Sequence, residues 1–461
     1  MSINLSFDIG QKALRANQLG LTTTGQNIAN VNTPGYTRQE VILASLPPSI
    51  NLPSAPGSGV DVIKIEAFRN EFIESRLRTE TSTNGRLTAQ QQALTPLDAA
   101  FNDTGTGGIN SSLNSFFSAF RNLDVNPTST ALRTNVVESA NALGAAFSAT
   151  RSRLGDIQTQ ADKLLQGNIS DVNSLVDKIA KLNTQIGNGE NSNVNNNELV
   201  DERGGLLNQL SEYVDINITK NEDSSLTVSL SDGRALVLND QVFQLQANST
   251  PPNGLTSITL NGQPAIINNG RIKGLLDSIG QVGTKISDLD NLAGAVASRV
   301  NTLHQTGIDL NGNAGGDFFV SSNGNAISAA NLSVSSSIKT DPRLLAAAEA
   351  GKGSGDGTNA RQIANLLTDN NTQVGSRKGS FSNIYASLVS EAGQALKTTQ
   401  DSLSTQQAIL AQTSEQRNAF SGVSLDEETV NLLRYQRAFE AAARFLKVSD
   451  EITKTIIALG E

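Results

Sequence analysis

No cysteine occurs in the 461 residues, so disulfides, thiolate metal sites and thiol nucleophiles are excluded together. Tryptophan is also absent, and aromatic residues make up only 4% of a chain that is 37% hydrophobic, which argues against one large enzyme-like core. Histidine occurs once, as His304. A histidine-based nucleophile or zinc site would have to be completed by carboxylates alone, and a hydrogen-bonded structural histidine is the simpler reading. A basic excess is missing too: the net charge of −9 comes from a 17% charged fraction with both signs interspersed. No cationic face is left for a phosphate backbone, so nucleic acid is not an expected partner. No apolar run approaches the ~20 residues of a membrane span, so membrane insertion is not expected. The N-terminal MSINLSFDIGQKALRANQ has no basic segment followed by a continuous apolar one, so no cleaved signal peptide is expected either.

What the chain does have is amphipathic helix at both ends. Phe7, Leu14, Leu21 and Ile28 recur every seven residues, a coiled-coil-like lane. Toward the C-terminus, Leu432, Tyr435, Phe439, Ala442 and Leu446 follow spacings of three and four, and Phe445, Val448, Ile452, Ile456 and Leu459 run beside them. Ser424 followed by Glu427 fits a capping box, Gly460 fits a stop, and Asp426, Glu427 and Glu428 suit the positive end of the helix dipole. Ordering about 35 residues costs on the order of 1–2 kcal/mol each. Burying ~10 larger apolar side chains returns ~1.5–3 kcal/mol apiece. Pairing with the N-terminal helix would bury only part of the C-terminal stripe, so intermolecular packing is expected to cover the rest.

Between the ends, the first helix should end within Asn27 to Tyr36, because asparagines compete for backbone hydrogen bonds and Pro34-Gly35 suits the centre of a type II turn. A strand-like piece at Val41 and Leu43 precedes a Pro/Ser/Gly-rich link from Pro47 to Gly59, and a second such piece runs from Val60 to Ile65. Phe72, Leu77, Leu87 and Leu94 predict one helix. Leu113, Phe116, Phe117 and Phe120 predict another that stops before Asn126-Pro127. From Ala131 to about Ile186 the pattern is helical throughout, giving either a rod ~75 Å long or a helix broken near Gly167. An asparagine-rich connection spans Gly187 to Asn197, and Glu198 to Ser211 is helical. The period changes to two from Val214 to Ile267, with a turn at Asp232-Gly233. Helix returns from Ile272 to Leu303 and from about Tyr385 to Asn418, around an irregular Gly/Asn/Ser-rich stretch.

The predicted fold is mainly α with β inserts, an elongated multidomain rod. Its parts are a terminal coiled-coil-like inner domain (1–35 and 424–461), a discontinuous helical bundle (36–212, 271–305 and 360–423), a small antiparallel β domain (213–270) and an irregular insert (306–359).

Motifs for chemistry are few. Asp309-Leu310-Asn311-Gly312-Asn313 imitates a calcium loop, but Ala314 stands where the turn needs glycine and Val320 where a bidentate glutamate belongs. The glycine cluster at 351–357 lacks phosphate-loop spacing and reads as a linker. No catalytic, metal or cofactor residue is assigned, and the chain is not expected to be an enzyme.

Ala13-Leu14-Arg15-Ala16-Asn17-Gln18, with Asn27-Ile28-Ala29-Asn30-Val31-Asn32-Thr33-Pro34-Gly35-Tyr36-Thr37-Arg38, resembles the N-terminal signature of bacterial flagellar rod, hook and hook-associated proteins. Val423-Ser424-Leu425-Asp426-Glu427-Glu428, leading to Leu433-Arg434-Tyr435-Gln436-Arg437-Ala438-Phe439, resembles their C-terminal signature. Ser424 stands where these proteins often carry asparagine, a substitution that keeps the cap. The hook-associated members are favoured by Phe116-Phe117-Ser118-Ala119-Phe120-Arg121-Asn122-Leu123, by Glu198-Leu199-Val200-Asp201-Glu202-Arg203 and by Val300-Asn301-Thr302-Leu303-His304-Gln305-Thr306-Gly307.

The resemblance implies a structural axial protein of the bacterial flagellum that polymerises at the distal end of the hook, forms the hook–filament junction and supports filament assembly and motility. It implies export through the flagellar type III apparatus to an extracellular position. The implied partners are further copies of the chain, the hook protein, the next hook-associated protein and an export chaperone on the C-terminal helix. Assembly residues would be Phe7, Leu14, Leu21, Ile28, Asn30, Pro34, Gly35 and Tyr36, and, shared with the chaperone, Leu432, Tyr435, Phe439, Leu446, Ile452, Ile456 and Leu459. A distal rod or hook protein, an exported enzyme with flagellar ends, and a surface adhesin are the competing expectations.

Overall fold

The computed structural model describes residues 3–47, 57–101, 107–191, 196–250 and 254–460. Most of the link from Pro47 to Gly59 and part of the asparagine-rich connection lie outside them. The molecule is 65% helical with small antiparallel sheets. Its helices are α1 (Ile3–Ala29), α2 (Glu71–Phe101), α3 (Ile109–Val125), α4 (Thr130–Asn191), α5 (Asn197–Tyr213), α6 (Gly270–Thr306), α7 (Ser336–Thr340), α8 (Thr358–Asn365), α9 (Phe381–Ser421) and α10 (Leu425–Gly460).

α4 runs 62 residues without interruption, about 93 Å at 1.5 Å per residue. Gly167 does not break it, because the helix is supported along one face by two successive cores. The first core gathers Leu113, Phe116, Phe117 and Phe120 of α3, Val136, Leu143 and Phe147 of α4, and Leu289, Val296 and Val300 of α6. The second joins Leu165, Val172, Val176 and Ile179 of α4 to Leu207 and Leu210 of α5 and to Val228, Leu230, Leu236 and Leu260 of the sheets. As the spacing predicts, α3 ends at Val125, before Asn126-Pro127.

The sheets follow the period-two stretch. β1 (Gln39–Ser45) pairs with β2 (Val60–Ala67) as an isolated ribbon. Next come a four-stranded sheet, β3 (Ile216–Lys220), β4 (Leu226–Leu230), β5 (Ala235–Leu238) and β6 (Gln241–Val242), and a three-stranded one, β7 (Leu245–Thr250), β8 (Leu255–Leu260) and β9 (Gln263–Pro264). Gly233 turns the chain between β4 and β5 with φ 85°, a conformation glycine adopts without strain.

Two expectations need correction. Phe72 does not support α2 from a core side, since it is 75% exposed. The stretch 306–359 is more than an irregular loop, because Phe318, Phe319, Leu332, Val334 and Leu345 complete the first core. Its order comes from short pieces without periodicity: Phe319 pairs with Val334 and Ser321 with Leu332, and Asp309, Asn331 and Asp356 accept backbone N–H groups at its turns. The last bundle helix is also longer than its pattern, from Phe381 to Ser421.

Candidate assembly interface

The ends of the chain lie side by side as α1 and α10, beyond the two cores. Along α10, Leu432, Tyr435, Phe439, Ala442 and Leu446, then Ser449 and Thr453, keep the three-four spacing of a helix seam. Tyr435 and Ser449 are buried and the others half-buried. Opposite them, α1 presents small residues. A Cβ on Gly20 would stand 2.6 Å from the Tyr435 ring, and one on Gly10 would stand 2.6 Å from Leu446 Cδ2. The helices therefore approach over a glycine track, with Ala16, Thr23, Thr24 and Asn27 also buried. Phe7, Leu14, Leu21 and Ile28 are half-buried and flank that track. About a quarter-turn around α10 from the seam, a second lane is left half-exposed: Phe445 is 45% exposed, Val448 and Ile452 52%, and Ile456 49%. Leu459 continues this lane within the helix, its side chain outside the described set.

Where α1 ends, a polar clasp ties the terminal pair to the bundle. Asn30 caps the helix, its backbone N–H and its Nδ2 donating to Gln26 O at 3.0 Å each. Tyr36 N donates to Thr33 O at 3.2 Å, and Gly35 has φ 84°, which makes Pro34-Gly35 the centre of the expected type II turn. The chain then folds back so that the buried Asn27 side chain meets Gln39 as a strand would: Oδ1 accepts from Gln39 N at 3.0 Å, and Nδ2 donates to Gln39 O at 2.8 Å. Asn27 also accepts from the Tyr36 hydroxyl at 2.9 Å and donates to Glu428 Oε2 at 3.1 Å. Its amide is fully used.

Charges surround this amide. Arg38 reaches α10, with Nε on Glu428 Oε1 at 3.0 Å and Nη1 on Glu427 Oε2 at 2.9 Å, and its guanidinium lies over the Phe68 ring. Glu428 is only 1% exposed, so its charge depends on Arg38 and Asn27. Arg417 of α9 donates to Glu74 Oε1 at 3.1 Å and to the carbonyl of Gly35 at 2.9 Å. Asp201 of α5 accepts from Thr37 N at 3.0 Å, from Thr37 Oγ1 at 2.7 Å and from Arg69 at 2.5 Å. Burial first, then the carboxylates of Asp201, Glu198 and Glu428, push the Tyr36 phenol up to about 12, so it remains a hydrogen-bond donor at any physiological pH.

Comparison with known proteins relates the chain to flagellar axial proteins. Residues 94–319 match the helical domain of the flagellar hook-associated protein FlgK. Residues 7–37 match flagella basal body rod proteins, and residues 415–459 match the C-terminal region of the flagellar basal body rod FlgEFG proteins. The chain is 28% identical to flagellar hook-associated protein 1 of Bacillus subtilis (strain 168), over 98% of this chain and 97% of that protein. It is 25% identical to flagellar hook-associated protein 1 of Escherichia coli (strain K12), over 96% and 97%. The fold is similar to that of the flagellar hook junction protein FlgK from Burkholderia pseudomallei, with a TM-score of 0.67 at 15% identity, covering 75% of this chain and all of that one. The chain belongs to the flagellar hook-associated protein 1 family. Membership places it among structural components of the flagellum that interact with other axial components. Among the described residues, no helix is long and apolar enough to cross a membrane.

The family signatures enclose residues that periodicity does not single out, Asn27, Arg38, Asp201 and Glu428, and Arg417 lies just before the last of these signatures. A reader of the sequence could have noticed that Glu428 falls on the seam side of α10, seven residues before Tyr435. The expected capping box is corrected here. Ser424 Oγ accepts from Glu427 N at 3.5 Å, the limit of a hydrogen bond, and the Glu427 carboxylate turns to Arg38 instead of back to Ser424. A charged partner outcompetes a backbone N–H, so capping alone does not account for the acidic first turn.

Elsewhere the reactive side chains are occupied structurally. His304 is fully buried, its Nδ1 donating to Gly316 O at 2.7 Å and its Nε2 accepting from Ala346 N at 2.9 Å. Burial pulls its pKa down, so the ring is neutral. Asp309 of the calcium-like loop accepts from Asn311 N at 2.8 Å and Asn313 N at 2.9 Å, which makes it a turn staple. Among the described residues no cluster of three potential metal ligands occurs.

Proposed function

We propose that the chain polymerises at the distal end of the flagellar hook and forms the junction on which the filament assembles, a packing role without a chemical step. The observation that carries this reading is the contrast on α10: one lane packs against α1, while Val448, Ile452 and Ile456 beside it are left about half-exposed among the described residues. Such a stripe is too apolar to remain in water in the working state. Further copies of the chain cover it in the assembly, and an export chaperone covers it beforehand. The hook protein lies on one side and the next hook-associated protein on the other.

Residues 1–35 and 424–461 are then the inner domain, the bundle segments 36–212, 271–305 and 360–423 surround it, and 213–270 and 306–359 lie outward. Seam residues Leu14, Leu21, Leu432, Tyr435, Phe439 and Leu446 hold the inner pair together, and the turn at Asn30, Pro34, Gly35 and Tyr36 orients it against the bundle. Export through the flagellar type III channel delivers the chain to the cell exterior, and a cysteine-free sequence suits passage in an extended state. A strain lacking the chain is expected to build hooks and shed filament subunits into the medium. Hooks carrying attached filaments in that strain would refute the assignment.

A further inference from the structure

We propose that the lower α2–α9 pair is a shear joint, a compliant segment between the apolar body and the terminal pair. Both cores draw on α2 only from Ala89 onward and on α9 only up to Leu396. Below those points, 18 residues of α2 and 25 of α9 lie against each other without contributing to either core. Their buried large apolar residues are Leu87 and Leu403, and the remaining buried positions on α9 are Thr399, Gln406, Thr413 and Ser421. A cavity of about 450 Å³ opens between the two helices, lined by Arg86, Gln90, Thr398, Ser402, Thr405 and Gln406 among others. In the bundle above, α9 instead buries Phe381, Ile384, Tyr385, Leu388 and Ala392.

The cross-links over this stretch are few and polar. Gln406 Nε2 donates to the Glu80 carbonyl at 3.1 Å and to Glu80 Oε2 at 2.7 Å, and the next tie down is Arg417 to Glu74. Ser82 Oγ and Asn84 Oδ1 on α2 are buried without a partner among the described residues. Most hydroxyls satisfy themselves within their own helix: Thr79 bonds Ser75 O, Thr399 bonds Ala395 O, Thr405 bonds Asp401 O and Thr413 bonds Ile409 O, while Thr83 bonds Thr79 O and also accepts from Asn269 Nδ2 at 2.9 Å. Such back-bonds loosen and bend helices. Close-packed apolar interfaces admit few arrangements, whereas a polar contact can exchange partners as one helix slips along another.

The elbow below is tied to the chain next to β1: Arg38 N donates to Ser421 O at 2.9 Å, so displacement of the α9 end pulls on that strand. The joint gives a subunit at a mechanical boundary its means of adjustment. That purpose rests on the junction reading, while the compliance belongs to the free subunit and is tested there.

Amide hydrogen exchange on the full chain reads it directly, since local opening follows sparse apolar contact. Amides of residues 400–412 should exchange about 10-fold or more faster than those of residues 384–396 in the same helix. In a Ser402→Leu/Thr405→Leu variant, which lines the cavity with apolar groups, exchange at 400–412 should slow by about 10-fold while α4 is unchanged. A Gln406→Ala variant, which removes the tie to Glu80, should speed it. Equal protection along α9 in the unaltered chain, or exchange at 400–412 indifferent to both variants, overturns the joint. Filament loss in the deletion strain bears only on the junction reading, so the two fail separately.

Discussion

Around Phe116 the chain completes its own packing, and around Tyr435 it does not. Phe116 sits within 5.0 to 5.8 Å, ring to ring, of Phe117, Phe120, Phe318 and Phe319, all fully buried, and Phe117 stacks on Phe381. Much of a scarce aromatic content is concentrated there. Tyr435 lies against a glycine, its neighbours along the seam are only half-buried, and further along α10 Val448, Ile452 and Ile456 are about half-exposed. The body buries its large side chains within the chain, and on the proposed reading the terminal pair is finished by a neighbour.

The largest effect on the free chain should follow from emptying the complete region. Phe116→Ala leaves a cavity in a site walled by four other rings, with an expected loss of about 3–5 kcal/mol in a denaturant melt. A loss below about 1 kcal/mol would show that this core collapses around the gap and is less rigid than its rings suggest. In the incomplete region, Asn27→Ala strands the backbone N–H and carbonyl of Gln39, the Tyr36 hydroxyl and one side of Glu428. Buried groups left unpaired cost about 1–3 kcal/mol. Because the clasp holds only the terminal pair, exchange protection should fall in α1 and α10 while the aromatic body keeps its melt. Gly20→Ala tests the seam itself: its Cβ meets the Tyr435 ring, and overpacking of this kind costs roughly 1–3 kcal/mol, again confined to the pair.

The same division separates what the sequence reveals from what it hides. Regular periodicity announces α3 and α4 because Leu113, Phe116, Phe117 and Phe120 all point into one core, and β3 to β8 because their alternation matches a half-buried sheet. The stretch 306–359 escapes this reading, since Phe318 and Leu345 reach the core from turns held by Asp309 and Asn331, and turns have no period. At the terminal pair, the heptad of Phe7, Leu14, Leu21 and Ile28 draws attention away from Gly10 and Gly20, which have no side chain to announce a close approach. Glu428 is hidden for a different reason: three acidic residues in a first turn already have a sufficient local explanation, and its partners Asn27 and Arg38 lie about 400 positions away in sequence.

A smaller effect, and one that belongs to the body alone, follows from His304. Its ordinary value is 6.5, and burial lowers it in the folded chain. Below pH 6.5 the unfolded chain therefore takes up a proton that the folded chain refuses, so stability is full above that pH and falls as pH drops. One proton gives at most about 1.4 kcal/mol per pH unit. As the sole histidine, it should account for the change in melting temperature between pH 6.5 and about 5.5. His304→Gln should flatten that slope. An unchanged slope would assign it to carboxylates instead.

The smallest effect on the free chain should come from Ile452→Asp, and it separates the two sides of α10 most sharply. Leu446 faces Gly10, so Leu446→Asp places a charge inside the helix pair and should loosen α1 and α10 before any partner is present. Ile452 is 52% exposed, so Ile452→Asp should alter a denaturant melt by less than about 0.5 kcal/mol. In the assembled state the same charge would be sealed against a neighbour's apolar side chains, where an unpaired carboxylate is strongly disfavoured. Chaperone capture in a pull-down and incorporation scored by motility should therefore both be lost, with the fold intact. Motile cells carrying Ile452→Asp would show that this lane remains in solvent in the working flagellum, and the openness of α10 would then need a different explanation.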